Sequence, residues 1–141
     1  MKKYILVCFL LVSIVTFSQK FTKEEREQLE KFKRIFINAR MIEEVGEEWK
    51  FNEGCLSIPE VREDVMRKPN VLISYYDENW VKHEEKVSGF PARVIQHEYD
   101  HIDGILFTDH LTSLKKQLLK KKLTNITKGD VDIEYRMKFP K

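Results

Sequence analysis

Cysteine and net charge are both scarce in this sequence, and each shortage excludes a class of protein. Cys8 and Cys55 are the only cysteines among 141 residues, so a small domain held together by several disulfides is excluded. The 25 basic and 23 acidic side chains leave a formal net charge of +2. This charge is too small to favour nucleic acid as the main partner, and we expect no direct nucleic-acid site. The hydrophobic content of 42% is enough for one ordinary core.

Long apolar runs are also missing, apart from one stretch near the N-terminus. The run "YILVCFLLVSIVTF" follows a basic start and is shorter than the roughly 20 residues of a membrane-spanning helix. A basic start, a short apolar stretch and a small residue at Ser18 are typical of a secretory signal peptide. We therefore predict that residues 1–18 form a hydrophobic leader, helical from Tyr4 to Phe17, that directs export or membrane association. A strand or helix of the folded domain is the alternative.

The first part of the remaining chain alternates between helical and extended patterns. Thr22 is followed three residues later by Glu25, a capping-box pattern that predicts the start of a helix. Residues 34–42 are rich in β-branched side chains and predict a strand. Residues 45–61 contain turn residues and predict short extended pieces. Residues 70–89 contain two alternating runs and predict a hairpin.

The second part of the chain is predicted to be mainly helical. Gly89 and Pro91 suit the start of a helix that ends near Gly104. The basic run "LKKQLLKKKL" predicts another helix from about Ser113, and residues 131–139 predict an extended segment or a loosely attached tail. We therefore expect an α+β fold in which antiparallel strands pack around the central helix.

The central helix carries a metal-binding pattern in "QHEYDH". His97 and His101 are four residues apart, so both imidazoles lie on one face of the helix and can bind one divalent ion. Glu98 follows the first histidine, as in the H-E-x-x-H pattern of metal-dependent hydrolases. At that position a carboxylate can move protons to and from a water molecule without binding the metal itself.

A site of this kind needs a third protein ligand. The extended protease pattern requires a histidine where this chain has Phe107. Glu134 is the only glutamate downstream of the pattern and lies in the β-like tail, which makes it a poor candidate. Cys55 lies in a glycine-marked turn, "EGCLS". A thiolate there and two neutral imidazoles would hold a divalent ion and leave a fourth position for water.

The segments "EGCLS" and "QHEYDH" together resemble the second and third motifs of the peptide deformylases. Enzymes of that family remove the formyl group from the N-terminal formyl-methionine of nascent bacterial proteins. The resemblance extends over about residues 32–141. It implies that Cys55, His97 and His101 bind one divalent ion, Fe²⁺ in the first instance, with Zn²⁺, Ni²⁺ or Co²⁺ as replacements. It also implies that Glu98 is the general acid and base, and that the partners are formyl-methionyl nascent peptides near the ribosome.

The resemblance further implies supporting roles for neighbouring residues. The backbone N–H of Leu56 would donate to the formyl oxygen, and Gly54 would lie in the strand that pairs with the substrate backbone. Val94 would line the pocket for the methionine side chain, although plain packing of a helix face explains an apolar residue there equally well. Glu53 and Arg67 would form an ion pair that supports the ligand loop.

The first motif of the family, G-x-G-[hydrophobic]-A-A-x-Q, has no counterpart in this chain. Before Gly54 the chain has one glycine, Gly46, and the two glutamines of that part, Gln19 and Gln28, lie in unrelated contexts. In the family that motif supplies a glutamine side chain that donates to the oxyanion. We therefore expect residues 19–141 to form a truncated deformylase-like domain with weakened turnover, cytoplasmic if the family role holds. The alternative is a non-catalytic, exported or membrane-tethered relic that still binds metal.

Overall fold

The computed structural model describes Val7–Cys8 and residues 22–138. The helices of this part are α1 (Lys23–Lys31), α2 (Gly89–Ile102) and α3 (Ser113–Thr127), with a short 3₁₀ helix at Phe107–His110. The strands are β1 (Val7–Cys8), β2 (Phe36–Val45), β3 (Trp49–Cys55), β4 (Ile58–Arg67), β5 (Asn70–Tyr76) and β6 (Lys82–Ser88). All strand pairs are antiparallel. The predicted α+β fold is therefore confirmed.

Helix α1 begins at the capping box that the sequence predicts. The Thr22 hydroxyl accepts a hydrogen bond from the backbone N–H of Glu25 at 3.2 Å, and the Glu25 carboxylate accepts one from the backbone N–H of Thr22 at 2.8 Å. Two of the N–H groups that a helix start leaves unpaired are satisfied in this way. Leu29 of this helix is buried and packs with Phe90 and Val94 of α2, which places α1 against the central helix.

A four-stranded sheet, in the order β1-β2-β5-β6, covers one side of α2. Strand β5 lies between β2 and β6 and buries Val71, Ile73 and Tyr75, every second residue, as expected for a strand with one face in the core. These residues pack with Ala92 and Ile95 of α2. The predicted hairpin is confirmed, since β5 and β6 pair along their whole length across the turn that begins at Asp77.

Most of the predicted leader lies outside the described residues. The two leader residues that are described, Val7–Cys8, form β1 and pair with Ile37 and Phe36 of β2. The predicted helix from Tyr4 to Phe17 is therefore wrong at these two positions. Edge backbone groups of a strand are satisfied by such pairing, and this is why the chain is extended there.

A separate hairpin of β3 and β4 lies against another face of α2. Its pairs run from Trp49 opposite Arg67 to Gly54 opposite Arg62 and, after a register shift, to Cys55 opposite Ile58, where the turn begins. The sequence predicts only short extended pieces here, and the hairpin is longer and more regular than that. Beneath it lies a second core cluster, made by buried side chains of β4, the 3₁₀ helix, the residue that follows it and α3 (Ile58, Val61, Val65, Phe107, Leu111 and Ile126). Helix α2 contacts both clusters, because Ala92 and Ile95 pack in the first and His97 stacks on Phe107 of the second.

The C-terminal part begins with a helix, as predicted. Helix α3 starts at Ser113, where the Thr112 side chain accepts from the backbone N–H of Lys115. Residues 131–138 contain no helix or strand, but Val131 packs against the second core cluster. No helix in the described residues combines the length and the apolar character that crossing a membrane requires.

Candidate metal centre

The three predicted metal ligands converge on one point between the β3–β4 hairpin and α2. Cys55 is the last residue of β3, and His97 and His101 project from one face of α2. Their ligand atoms all lie within 4.8 Å of one another, and Cys55 Sγ is 3.3 Å from His101 Nε2. Metal–ligand bonds of about 2.0–2.3 Å place neighbouring ligands of a tetrahedral ion roughly 3.3–3.8 Å apart. The arrangement therefore fits a small divalent ion after closure by about 1 Å.

The ring of His97 is held by a hydrogen bond at one of its nitrogens and by ring contacts with Phe107 and His101. His97 Nδ1 lies 3.0 Å from Glu53 Oε2, and because a carboxylate only accepts, Nδ1 carries the hydrogen. This assigns Nε2 as the ligand atom, since metal-binding histidines usually donate their other ring N–H to a carboxylate, a backbone carbonyl or water. The Phe107 ring stacks on His97 with centroids 6.3 Å apart, and His101 meets its edge. Phe107, which stands where the extended protease pattern has a histidine, therefore supports His97 by packing against it.

Glu53 is the centre of a buried group of charges behind His97. Its side chain is only 3% exposed. Arg67 donates to both carboxylate oxygens, at 2.8 and 3.1 Å, and Arg93 donates to Oε1 at 2.9 Å. Burial alone would raise the pKa of Glu53, but the hydrogen bonds from His97 and Arg67 outweigh it and hold the pKa far below its usual range. The carboxylate is therefore ionised, and it orients His97.

Two members of this charged group were not predicted from the sequence. Arg93 is 2% exposed and also donates to the backbone carbonyls of Trp49 and Val65. Asp100 accepts from Arg67 Nη1 at 2.7 Å and lies 2.7 Å from His110 Nε2. A charged residue within the otherwise apolar first half of α2 was the one signal that could have identified Arg93. Asp100 lies inside "QHEYDH", but its partners are far away in the sequence.

The electrostatics of the site favour a thiolate donor at Cys55. Burial raises the pKa of this thiol, but hydrogen bonds from His101 and His97 outweigh the effect and lower the pKa to about 6. Burial lowers the pKa of His97, and its contacts with Cys55 and Glu53 overcome this and raise the pKa to about 9. Both shifts favour a thiolate beside an imidazolium in the metal-free pair. A divalent ion would take the place of that proton, because metal ligands bind in their deprotonated form.

Three further predicted site residues are neighbours of the ligands in the chain, and their roles stay predictions. Glu98 follows His97 on α2 and is partly buried. Gly54 is buried in β3, where an added Cβ would lie 2.8 Å from Arg62 Nη1. Leu56 lies in the turn after Cys55, and its carbonyl accepts a hydrogen bond from Tyr135 at 2.9 Å. The C-terminal tail therefore reaches the ligand loop, a contact that the sequence did not predict.

Val94 lies in the core cluster under α1 rather than beside the three ligands. It is 3% exposed and packs with Leu29 and Phe90. This packing accounts for its burial without any substrate. Its assignment to a methionine pocket stays a prediction.

Comparison with known proteins relates this site to a family. A sequence model described as polypeptide deformylase matches residues 11–117. A peptide deformylase of Christiangramia forsetii is 61% identical over 122 residues, 86% of this chain and 62% of that protein. One from Flavobacterium psychrophilum is 60% identical over 122 residues, 86% of this chain and 63% of that protein. The chain thus spans less than two thirds of the length of these relatives.

Solved structures show the same relationship. A Plasmodium falciparum peptide deformylase in complex with an inhibitor matches with a TM-score of 0.63 and 41% identity, over 67% of this chain and 62% of that one. An Arabidopsis thaliana peptide deformylase in complex with an inhibitor matches with a TM-score of 0.66 and 30% identity, over 70% of this chain and 55% of that one. The antiparallel strands around the helix of His97 and His101 and the matched sequence agree: this chain belongs to the peptide deformylase family.

Proposed function

We propose that this chain is a metal-dependent amide hydrolase that removes the formyl group from the N-terminal formyl-methionine of nascent polypeptides. The observation that carries the proposal is the convergence of Cys55, His97 and His101 within 4.8 Å, with Glu98 next in the chain to one of them. The donor set is one thiolate and two imidazoles, which suits Fe²⁺, Zn²⁺, Ni²⁺ or Co²⁺. By family resemblance we propose Fe²⁺ as the native ion.

Each residue around the site has a proposed part in the reaction. Cys55, His97 and His101 would hold a divalent ion, which would supply Lewis acidity toward a carbonyl and a water molecule when bound. The Glu98 carboxylate accepts a proton from the attacking water and delivers it to the amine nitrogen as the carbon–nitrogen bond breaks. The backbone N–H of Leu56 donates to the formyl oxygen as negative charge develops there. Gly54 allows the substrate backbone to approach β3, and Val94 contributes to the methionine pocket.

The residues behind the site have a proposed positioning role. Glu53 fixes the tautomer and the ring plane of His97, and Arg67 fixes Glu53 through two hydrogen bonds. The side chains are buried, so water does not compete for these contacts. Their support keeps the ligand atoms in place before the ion arrives, which lowers the cost of ordering the site on binding.

The family's oxyanion-donating glutamine has no counterpart in this sequence, and we propose that turnover is weak for this reason. Loss of one such donor costs roughly 10²–10³-fold in rate in a well-studied hydrolase. The test is to load the chain with Fe²⁺ under anaerobic conditions, and separately with Ni²⁺, and to measure metal content and formate release from a formyl-methionyl peptide. We expect metal retention with formate release roughly 10²–10³-fold slower than that of a complete relative.

Three outcomes of that measurement would contradict part of the proposal. Formate release as fast as that of a complete relative would show that the glutamine donor is dispensable. Metal retention without any formate above the background of metal-free protein would favour the non-catalytic relic. Failure to retain metal, with a Cys55→Ala variant behaving like the parent chain, would contradict the metal site itself.

We further propose a cytoplasmic location, because formylated nascent chains arise at the ribosome. The predicted leader of residues 1–18 is the competing expectation, since export would separate the protein from this substrate. The mass of the chain recovered from a bacterial host distinguishes the two. We expect residues 1–18 to be present in soluble cytosolic protein. A chain that begins at Gln19 in the exported fraction would instead establish a signal peptide.

A further inference from the structure

A continuous line of hydrogen bonds between charged or ionisable groups joins His97 to the protein surface. From His97 Nδ1 the line passes through the Glu53 carboxylate and the Arg67 guanidinium to Asp100, and it ends at His110. Every link is between 2.7 and 3.0 Å. Bonds of this kind are shorter and stronger than those between neutral groups, and they fix geometry as well as adding energy.

His110 is the outermost member of this line, at the end of the 3₁₀ helix. Its Nε2 lies 2.7 Å from Asp100 Oδ2, the same oxygen that accepts from Arg67 Nη1 at 2.7 Å. The side chain of Asp100 is 16% exposed and that of His110 is 34% exposed. Water therefore has access to the end of the line but little access to its interior, so the bond to Asp100 is only partly screened.

We propose that His110 is a positioning residue for the metal site, acting through Asp100 and Arg67 on Glu53 and so on the ring of His97. This inference rests on the proposed metal-binding function and adds a residue to it. Nothing in the H-E-x-x-H pattern or in "EGCLS" includes His110, which is 13 positions after His97 in the sequence.

The geometry of Arg67 explains how a contact at the surface reaches the ligand. Its guanidinium is a rigid planar fork, with Nε and Nη2 on Glu53 and Nη1 on Asp100. The plane of the fork is therefore set by two carboxylates at once. Without His110, one of the groups that hold the Asp100 carboxylate is gone, and the carboxylate can turn toward solvent. The plane of the Arg67 guanidinium is then fixed by the Glu53 carboxylate alone.

A matched control is available at another histidine of this chain. His83 Nε2 lies 2.8 Å from Asp77 Oδ2, and the His83 side chain is 40% exposed. This pair has nearly the same length and exposure as His110–Asp100. The His83–Asp77 pair lies at the four-stranded sheet, where His83 stacks on Tyr75. Replacing His83 therefore measures the effect of losing an exposed histidine–aspartate contact that does not belong to the line of hydrogen bonds.

The experiment compares His110→Leu, His110→Gln and His83→Leu in the full chain loaded with Co²⁺. It measures the thiolate-to-cobalt charge-transfer absorption, the rate of Co²⁺ loss to a chelator, and the urea unfolding of the metal-free protein. Removing a direct hydrogen-bond partner of a metal ligand costs roughly 10–100-fold in metal affinity, so for this more distant residue we expect His110→Leu to release Co²⁺ about 3–10-fold faster with an altered absorption band. His110→Gln, whose amide can still donate to Asp100, should restore both toward the parent, and His83→Leu should change neither.

The outcomes separate this inference from the proposed function. If the parent chain shows no thiolate-to-cobalt band, the metal site itself is wrong. If the parent binds Co²⁺ and His110→Leu releases it at the parent rate, the inference fails and the metal site stands. If His110→Leu lowers only the urea stability, or if His83→Leu accelerates Co²⁺ loss equally, the role of His110 is structural and the inference also fails. Should His110→Leu not fold, His110→Ala replaces it in the same comparison.

Discussion

Replacement of Glu53 by glutamine is expected to lower the free energy of unfolding by about 3–5 kcal/mol, because breaking a buried ion pair leaves its partners uncompensated. Glu53 is 3% exposed and accepts from Arg67 and Arg93, which are themselves 5% and 2% exposed. Glutamine has nearly the same shape, so the change removes the charge without opening a cavity. Urea unfolding of the metal-free chain measures the effect.

A second consequence of this substitution concerns the metal. A glutamine at position 53 no longer offers two anionic oxygens to Arg67 and His97, and its NH₂ group cannot accept from the His97 N–H. We expect metal affinity to fall roughly 10–100-fold, the usual cost of losing a hydrogen-bond partner of a metal ligand. Competition with a chelator for Co²⁺ measures this loss separately from stability.

Glu63→Gln is the matched control for the Glu53 prediction. Glu63 is also a glutamate of the β3–β4 hairpin, and it pairs with Lys115 at 2.6 Å, but the two side chains are 26% and 37% exposed. A partly exposed pair of this kind contributes about 0–1 kcal/mol. If Glu53→Gln destabilised the chain no more than Glu63→Gln does, the buried charges would not be anchoring the hairpin to α2.

The parts of the fold that could be predicted are those with local signals. Thr22 and Glu25 alone predict the start of α1, because a capping box is completed within one turn of helix. Helix α2 begins at Gly89 with Pro91 in its first turn, where a missing N–H costs nothing. The hairpin of β5 and β6 follows from alternation and a turn. For each of these elements, the residues that determine the helix or strand lie within a few positions of it in the sequence.

The β3–β4 hairpin was the weakest prediction, for a physical reason. Gly54 and Pro59 lie within or beside its strands, and such residues normally mark turns and interruptions. The hairpin nevertheless forms, because Arg93 of α2 donates to the backbone carbonyls of Trp49 and Val65, and Phe107 of the 3₁₀ helix packs with buried side chains of β4. These contacts come from residues tens of positions away in the sequence, which no local pattern predicts.

The same distinction applies to the candidate site. The spacing of His97 and His101 is a local property of a helix, so it could be read directly. The partnership of Glu53 and Arg67 came from resemblance, and its geometry is now described. The contacts that were missed join residues far apart in the chain: Asp100 is 33 positions from Arg67, and Tyr135 is 79 positions from Leu56. Only the folded chain brings such residues together.

Replacement of Glu98 by glutamine is expected to lower formate release roughly 10²–10⁴-fold while the chain keeps its metal, because general acid–base catalysis contributes about that much. Glutamine is similar in size but cannot accept the proton of the attacking water at neutral pH. Glu98 is not one of the three residues whose ligand atoms converge, so Co²⁺ content and the chelator-induced loss of Co²⁺ should match those of the parent chain. Formate release from a formyl-methionyl peptide is compared at equal metal content.

Glu84→Gln provides the control for this last substitution, because Glu84 is an exposed glutamate on β6 of the four-stranded sheet. We expect it to release formate at the parent rate. The prediction for Glu98 separates proton transfer from metal binding: a loss of metal in Glu98→Gln would make Glu98 part of the ligand set. Unchanged formate release at full metal content would mean that another group moves the proton. His110 and Tyr135 would then need testing in the same assay, since both contact residues next to the ligands, Asp100 and Leu56.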